Sequence, residues 1–206
     1  MADEIPLTRN AVPEARAEAI RAAVRAISSL PSDGAASRVP ERADAPALLA
    51  FFSDPAVSAP IYSIPRPLTL ENVEAFIAGH RQAQAEGKSA LLIREDEAGE
   101  VVGYSEFHFW PQWAAGELGG ALHPRLQSQG AGGRGALLTF NWMFHALDLD
   151  LICETSALDN IRTAKLLERI GFARMGEIVS TRPDGTTRPS IVWELTREAW
   201  RAQAQA

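Results

Sequence analysis

The chain has 206 residues, 46% of them hydrophobic and 22% charged, the proportions of a folded globular protein rather than a disordered one. Twenty Lys and Arg against 26 Asp and Glu give a net charge of −6, so no overall basic field exists to hold a nucleic acid, although a local cationic pocket for a small phosphate ligand stays open. The single cysteine, Cys153, excludes an intrachain disulfide and a four-cysteine zinc site.

Residues 1–35 read as an N-terminal helical extension. From Pro13 to Leu30 the sequence is Ala-rich, with Ile20, Val24, Ile27 and Leu30 at helical spacing. Such a stripe packs on the domain's own surface or makes a homodimer contact. Pro31-Ser32-Asp33-Gly34 stops it. A short helix is expected around Ala43–Phe52, then a proline-rich loop from Ser53 to Pro67. Thr69 caps a helix running to about Gln84. Ala90–Arg94, Val101–Trp110 and Glu117–Leu122 read as an antiparallel meander. Ala36–Val39 is a poor candidate for a first strand.

The second half alternates. A Gly-rich loop, Gln127–Gly135, enters a helix to about Leu147. Leu149–Thr155 reads as a buried strand, and Asp159-Asn160 caps a helix to about Ile170. Gly171-Phe172 turns into a strand to about Ser180, Pro183-Asp184-Gly185 is a hairpin tip, and Ser190–Leu195 is the last strand. Strands mixed with crossover helices predict an α/β (α+β) fold with helices on both faces of a mixed central sheet.

Gln127 to Gly135 is the most informative segment. Glycines ahead of an amphipathic helix let backbone N–H groups converge, and the helix N-terminus adds a positive dipole end, so the segment reads as an anion cradle for a pyrophosphate. Gly130-x-Gly132-x-x-Gly135 matches the dinucleotide fingerprint, but no strand runs directly into it, and Asp148 and Asp150 lie at the start of the next strand rather than its end. No Gly-Lys-Ser/Thr follows for a Walker loop.

Gln127-x-x-Gly130-x-Gly132 resembles the pyrophosphate-binding motif of the GNAT acyltransferases. His123-Pro124 ahead of it, the segment Asn160-Ile161-Arg162-Thr163 through Leu167-Glu168-Arg169-Ile170-Gly171-Phe172, and the tail from Asp184-Gly185 to Trp200 are similar to the RimJ/RimL-type branch. The resemblance covers about residues 36–200 and places a GNAT domain over 36–206. It implies acetyl-CoA as donor, a primary amine as acceptor (a protein N-terminus, an aminoglycoside-like amine or a small metabolite) and direct transfer without an acyl-enzyme. By that resemblance, Gln127, Gln129, Gly130, Ala131, Gly132, Gly133 and Gly135 bind the cofactor's pyrophosphate, Asn160 its pantetheine arm, and a backbone N–H near Leu122 the oxyanion. The family often has Tyr seven residues after the asparagine, as the acid for the leaving thiolate. Here that residue is Leu167, and Thr163 stands where the branch carries Ser, so Thr163 is the expected proton donor. Missing Tyr leaves a catalytically silent acyl-CoA-binding domain as the alternative.

The base stays open between several residues. On Val101–Trp110, Tyr104, Glu106, His108 and Trp110 alternate onto one face, and Glu117 begins the neighbouring strand. Glu106, Glu117 and His108 are candidates, with Asp184 a weaker one. Tyr62, His108 and Trp110, with Trp113, are expected to shape the acceptor pocket. Cys153 sits among apolar residues and reads as an inert buried thiol. Four histidines without paired spacing imply no metal. No apolar run nears the ~18–20 residues of a membrane helix, and the acidic Met-Ala-Asp-Glu start leads into no signal-like apolar core, so no membrane partner and a cytoplasmic location are expected.

Overall fold

The computed structural model describes residues 5–31, 36–129 and 131–203. Its elements in chain order are α1 (Glu14–Arg25), β1 (Ser37–Arg38), α2 (Ala45–Phe52), α3 (Pro55–Ser58), α4 (Leu70–Ala85), β2 (Ser89–Glu95), β3 (Val101–Trp110), β4 (Ala115–Leu122), α5 (Ala131–Ala146), β5 (Leu151–Ala157), α6 (Ile161–Ile170), β6 (Ala173–Thr181), β7 (Thr187–Thr196) and α7 (Arg197–Gln203). The seven strands form one sheet in the order β1-β2-β3-β4-β5-β7-β6. Every pairing is antiparallel except β4 with β5. The meander β2-β3-β4 and the mixed sheet agree with the sequence reading. The weak first strand exists as two residues, Ser37 and Arg38, paired to Arg94 and Ile93.

Period-two alternation sends β2 and β3 to two cores. Leu92, Phe107 and Phe109 face α1, α5 and α6 with Ile20, Val24, Phe140, Phe144 and Ile170. Leu91, Ile93 and Tyr104 face α2 and α4 with Leu48, Phe52, Val73 and Ile77. Thr69 caps α4, its Oγ1 accepting the Asn72 N–H at 3.2 Å, and Gly171 ends α6 in the left-handed region at φ 91°, where a residue without Cβ is unstrained.

The apolar stripe of α1 packs on the domain's own sheet. Ile20, Val24 and Ile27 belong to the larger core, and Arg16 pairs with Asp148 at 2.8 Å and Asp150 at 2.6 Å beside the start of β5. Ahead of it, the N–H groups of Leu7 and Thr8 donate to Glu194 Oε1 at 2.7 and 2.9 Å. Truncating a fully buried aliphatic side chain typically costs about 2–5 kcal/mol. Ile20→Ala is therefore expected to lower the unfolding free energy by an amount in that range in a denaturant titration, with little change in the slope.

Candidate active site

The first half of the site lies on the α2/α4 face of the sheet. β3 and β4 pair so that His108 stands opposite Glu117. The His108 ring sits between two carboxylates, with Nε2 3.9 Å from Glu106 Oε1 and Nδ1 4.0 Å from Glu117 Oε2. The structure thus brings together Glu106, His108 and Glu117, and it gives them different surroundings. Glu106 is 3% exposed. Ser63 Oγ donates to its Oε2 at 2.6 Å, and His80 Nε2 lies 3.5 Å from its Oε1. His80 is oriented from behind. Ser89 Oγ donates its only proton to the Phe107 carbonyl at 2.7 Å, so the 2.6 Å contact between Ser89 Oγ and His80 Nδ1 must be donated by the ring. Nε2 is thereby turned to Glu106. Burial pushes the Glu106 carboxyl up, but His80 and His108 in their protonated forms, with the Ser63 hydroxyl, outweigh it and leave it below the usual range.

Glu117 is different. Its side chain keeps 20% of its exposure, and its hydrogen-bond partner is a neutral hydroxyl, Thr155 Oγ1 at 3.2 Å. Burial, and then the negative charge of Glu106, push its carboxyl up to about 7. Burial lowers the His108 imidazole. Asp184 stays apart on the β6–β7 tip, where its carboxylate accepts the Thr186 N–H and hydroxyl at 2.9 and 2.6 Å.

The second half lies on the α5/α6 face. The parallel pairing of β4 with β5 stops at Glu117 and Cys153. One residue on, the Leu118 N–H donates to Glu154 Oε1 at 3.2 Å instead of to a strand carbonyl. Alternate N–H groups along a strand point to the same edge, so Leu122 lies on the edge that Leu118 presents to β5. A cavity of about 480 Å³ opens there, bordered by Leu118, Gly120, Leu122, Gly132, Gly135, Glu154, Thr163 and Leu167. Thr163 and Leu167 share its wall, as their spacing of four predicts. Among the described residues the Thr163 hydroxyl has no partner, while its N–H donates to Asn160 Oδ1 at 3.1 Å. Asn160 is thus the cap of α6, with its amide N–H₂ uninvolved in that bond.

Glu154 escaped the sequence reading. It is nine-tenths buried and borders this cavity, and no ion pair to it is formed among the described residues. Burial, and then the charge of Glu117, push its carboxyl well above the usual range. The signal was present in Leu151-Ile152-Cys153-Glu154, a charge inside an apolar strand.

Several expectations change. The described glycines of this segment are helical. Pro124–Gln129 is a 3-10 helix whose backbone includes Gln127 and Gln129, and α5 begins at Ala131. Gly132, Gly133 and Gly135 therefore lie in the first turns of the helix. Gly130 lies outside the described residues. Trp110 is more deeply set than a rim aromatic. It is 7% exposed and packs with Ile5, Ala115, Leu151, Cys153 and Val192, because Ile5 and the β4–β5 junction cover the end of β3. It still borders a second cavity of about 520 Å³ with Phe76, His80, His108 and Trp113. Tyr62 lies beneath the guanidinium groups of Arg182 and Arg188, at 4.2 and 3.9 Å from its ring centre. Cys153 is buried and its thiol pushed well up, as an inert thiol requires.

Residues 38–173 match the family model of the acetyltransferase (GNAT) domain. The chain belongs to the GNAT acetyltransferase family. Solved GNAT-like structures agree in fold. A ribosomal-protein-S5-alanine acetyltransferase from Vibrio fischeri is 19% identical over 84% of this chain and 99% of its own, with a TM-score of 0.68. RimL, a ribosomal L7/L12 α-N-protein acetyltransferase in complex with coenzyme A, is 16% identical over 83% and 99%, TM-score 0.69. Mycobacterium smegmatis RimJ in complex with a CoA disulfide is 17% identical over 83% and 88%, TM-score 0.66. No curated protein sequence matches the chain. The family match begins beyond α1, yet Leu30 and Pro31 border the same cavity as Gly132.

The residues present fit the GNAT donor, acetyl-CoA. A Cβ built on Gly132 or Gly135 meets nothing within 4 Å, so the N-terminal turns of α5 are open to a close-packed anion. Gly132→Asp would fit sterically and place a carboxylate where the sequence reading expects the pyrophosphate. A drop in CoA affinity of at least about 100-fold is expected by calorimetry on the folded variant, the scale of one desolvated like-charge clash. An unchanged affinity would move the phosphate site elsewhere.

Proposed function

We propose that the protein transfers an acetyl group from acetyl-CoA directly to a primary amine, with Glu117 as general base and Thr163 as proton donor to the departing thiolate. The observation that carries this reading is the end of the β4–β5 pairing. It places Glu117 on one face of the sheet and, one residue beyond its register partner Cys153, the cavity of Glu154 and Thr163 on the other. A donor entering beside α5 and an amine approaching from the α2/α4 face would meet at that opening.

Acetyl-CoA, as donor substrate, supplies an activated thioester. The amine must lose a proton, and Glu117 is the group to take it, directly or through one water. Its carboxyl titrates near neutrality and is partly accessible, whereas Glu106 is locked between Ser63 and His80. Glu106 then serves to hold the charge of the cluster. Beyond Leu118, whose N–H is given to Glu154, the backbone N–H groups of Gly120 and Leu122 face the same β4 edge and are the donors available to a developing oxyanion. Thr163 donates its hydroxyl proton toward the leaving sulfur, and the proton is replaced from solvent.

The likeness in fold to ribosomal-protein acetyltransferases and the RimJ/RimL-type motifs favour a peptide α-amine among the possible acceptors. Leu167 in place of the family Tyr supports the second reading, a silent acyl-CoA-binding domain. Incubation with acetyl-CoA and a panel of peptides, aminoglycosides and small amines, read by mass spectrometry for an acetylated product, separates the two. CoA binding with no product from any amine would establish the second.

A further inference from the structure

The acceptor side carries three guanidinium groups that pair with no carboxylate. Other arginines are neutralised, among them Arg16, Arg38, Arg125 and Arg197, which each reach two carboxylates. Arg66, Arg182 and Arg188 instead donate to three consecutive carbonyls at the end of α3, Ser58 at 3.1 Å, Ala59 at 2.9 Å and Pro60 at 3.1 Å. Among the described residues none of the three has a carboxylate within 4 Å. Asp184 and Asp159 act on them only at longer range.

Arg182 and Arg188 also lie over Tyr62. Stacking fixes their planes, and one carbonyl contact uses few of the five N–H donors each carries. Among the described residues the buried Nε atoms of both have no partner, and their part-exposed ends present further terminal N–H donors in a chain whose net charge is −6. Tyr62, beneath two of the three arginines, directly precedes Ser63, whose hydroxyl donates to Glu106, so the cluster and the carboxylate adjoin one loop.

We infer that Arg66, Arg182 and Arg188 form the acceptor-docking site and take an anionic group, so that the enzyme selects amines bearing a carboxylate or phosphate close to the amine. An acidic peptide N-terminus has this chemistry. A polycationic aminoglycoside is repelled. The inference deepens the proposed function and rests on its assignment of the acceptor face.

The test uses the full chain saturated with CoA and two fluorescently labelled hexapeptides of equal length, one with Glu and Asp after the N-terminal residue and one with Lys and Arg. At low salt the acidic peptide should bind at least about tenfold more tightly, the scale of a charge-assisted hydrogen bond made at a half-exposed site. Added salt should narrow the gap. The Arg182→Gln/Arg188→Gln double variant should bring the ratio near one, Arg182→Lys should keep most of it, and Asp184→Asn should raise it. Equal binding of the two peptides by the wild-type protein, or an unchanged ratio in a folded double variant, would overturn the inference. Free glutamate and a phosphoamine as competitors report whether the anion alone suffices. Binding is read without turnover, so failure of every amine to be acetylated strikes the proposed function, while an equal ratio strikes only this inference.

Discussion

Replacing Glu117 by Gln is expected to lower kcat/KM by about 100- to 10,000-fold, the range a positioned general base contributes, with little effect on CoA affinity. The pH dependence carries the sharper test. Burial and the neighbouring Glu106 charge hold the Glu117 carboxyl at about 7, and only its ionised form accepts a proton. In the wild type, kcat/KM with an acceptor of fixed ionisation should therefore rise with pH through a limb near 7, and Glu117→Gln should lose that limb. Stability runs in the opposite direction. A carboxyl whose folded value lies above its unfolded value of about 4.5 binds more protons in the native state, so its stabilising share is complete below about pH 4.5 and is lost as pH rises through 7. Glu117→Gln should consequently unfold like the wild type at pH 4 and be more stable above pH 7, by up to about 3 kcal/mol. A variant as active as the wild type, or a limb that persists in it, would transfer the role to His108 or to water.

Thr163→Val should lower kcat by about 100- to 1,000-fold, by analogy with removal of a single oxyanion donor. The hydroxyl acts on charge that develops as the C–S bond breaks, so kcat and kcat/KM should fall together while the Kd for acetyl-CoA stays nearly constant. Val keeps the shape of the side chain, and Thr163→Ser should retain activity. The structure adds a competitor. Glu154 borders the same cavity with its carboxyl held toward the protonated form, and it accepts the Leu118 N–H where the strands part. If Thr163→Val turns over at the wild-type rate, Glu154 is the remaining proton donor on that face. Glu154→Gln would then carry the loss that Thr163→Val lacks.

Local spacing was enough to read much of this protein. The stripe of Ile20, Val24 and Ile27, the Thr69 cap, the alternation of β3, the Asn160 cap and the Gly171 terminus are decided by periodicities and dihedral limits that operate within a few residues. The same alternation put Glu106 and His108 on one face, and the glycine-rich start of α5 with the Asn160–Phe172 segment pointed to the family. Tertiary structure decided what those residues can do. Glu106 and Glu117 look alike in sequence. They differ because Ser63 and His80, 43 and 26 residues before Glu106, close on one carboxylate and leave the other partly open. Trp110 became a core residue because Ile5 reaches it from the far end of the chain. Glu154 lines a cavity because β4 stops pairing with β5 one residue earlier, and Arg182 and Arg188 come to lie over Tyr62 only when the β6–β7 hairpin closes over that loop. A residue's face follows from its neighbours in sequence, but its proton affinity and its access follow from burial and from charges brought up by distant segments.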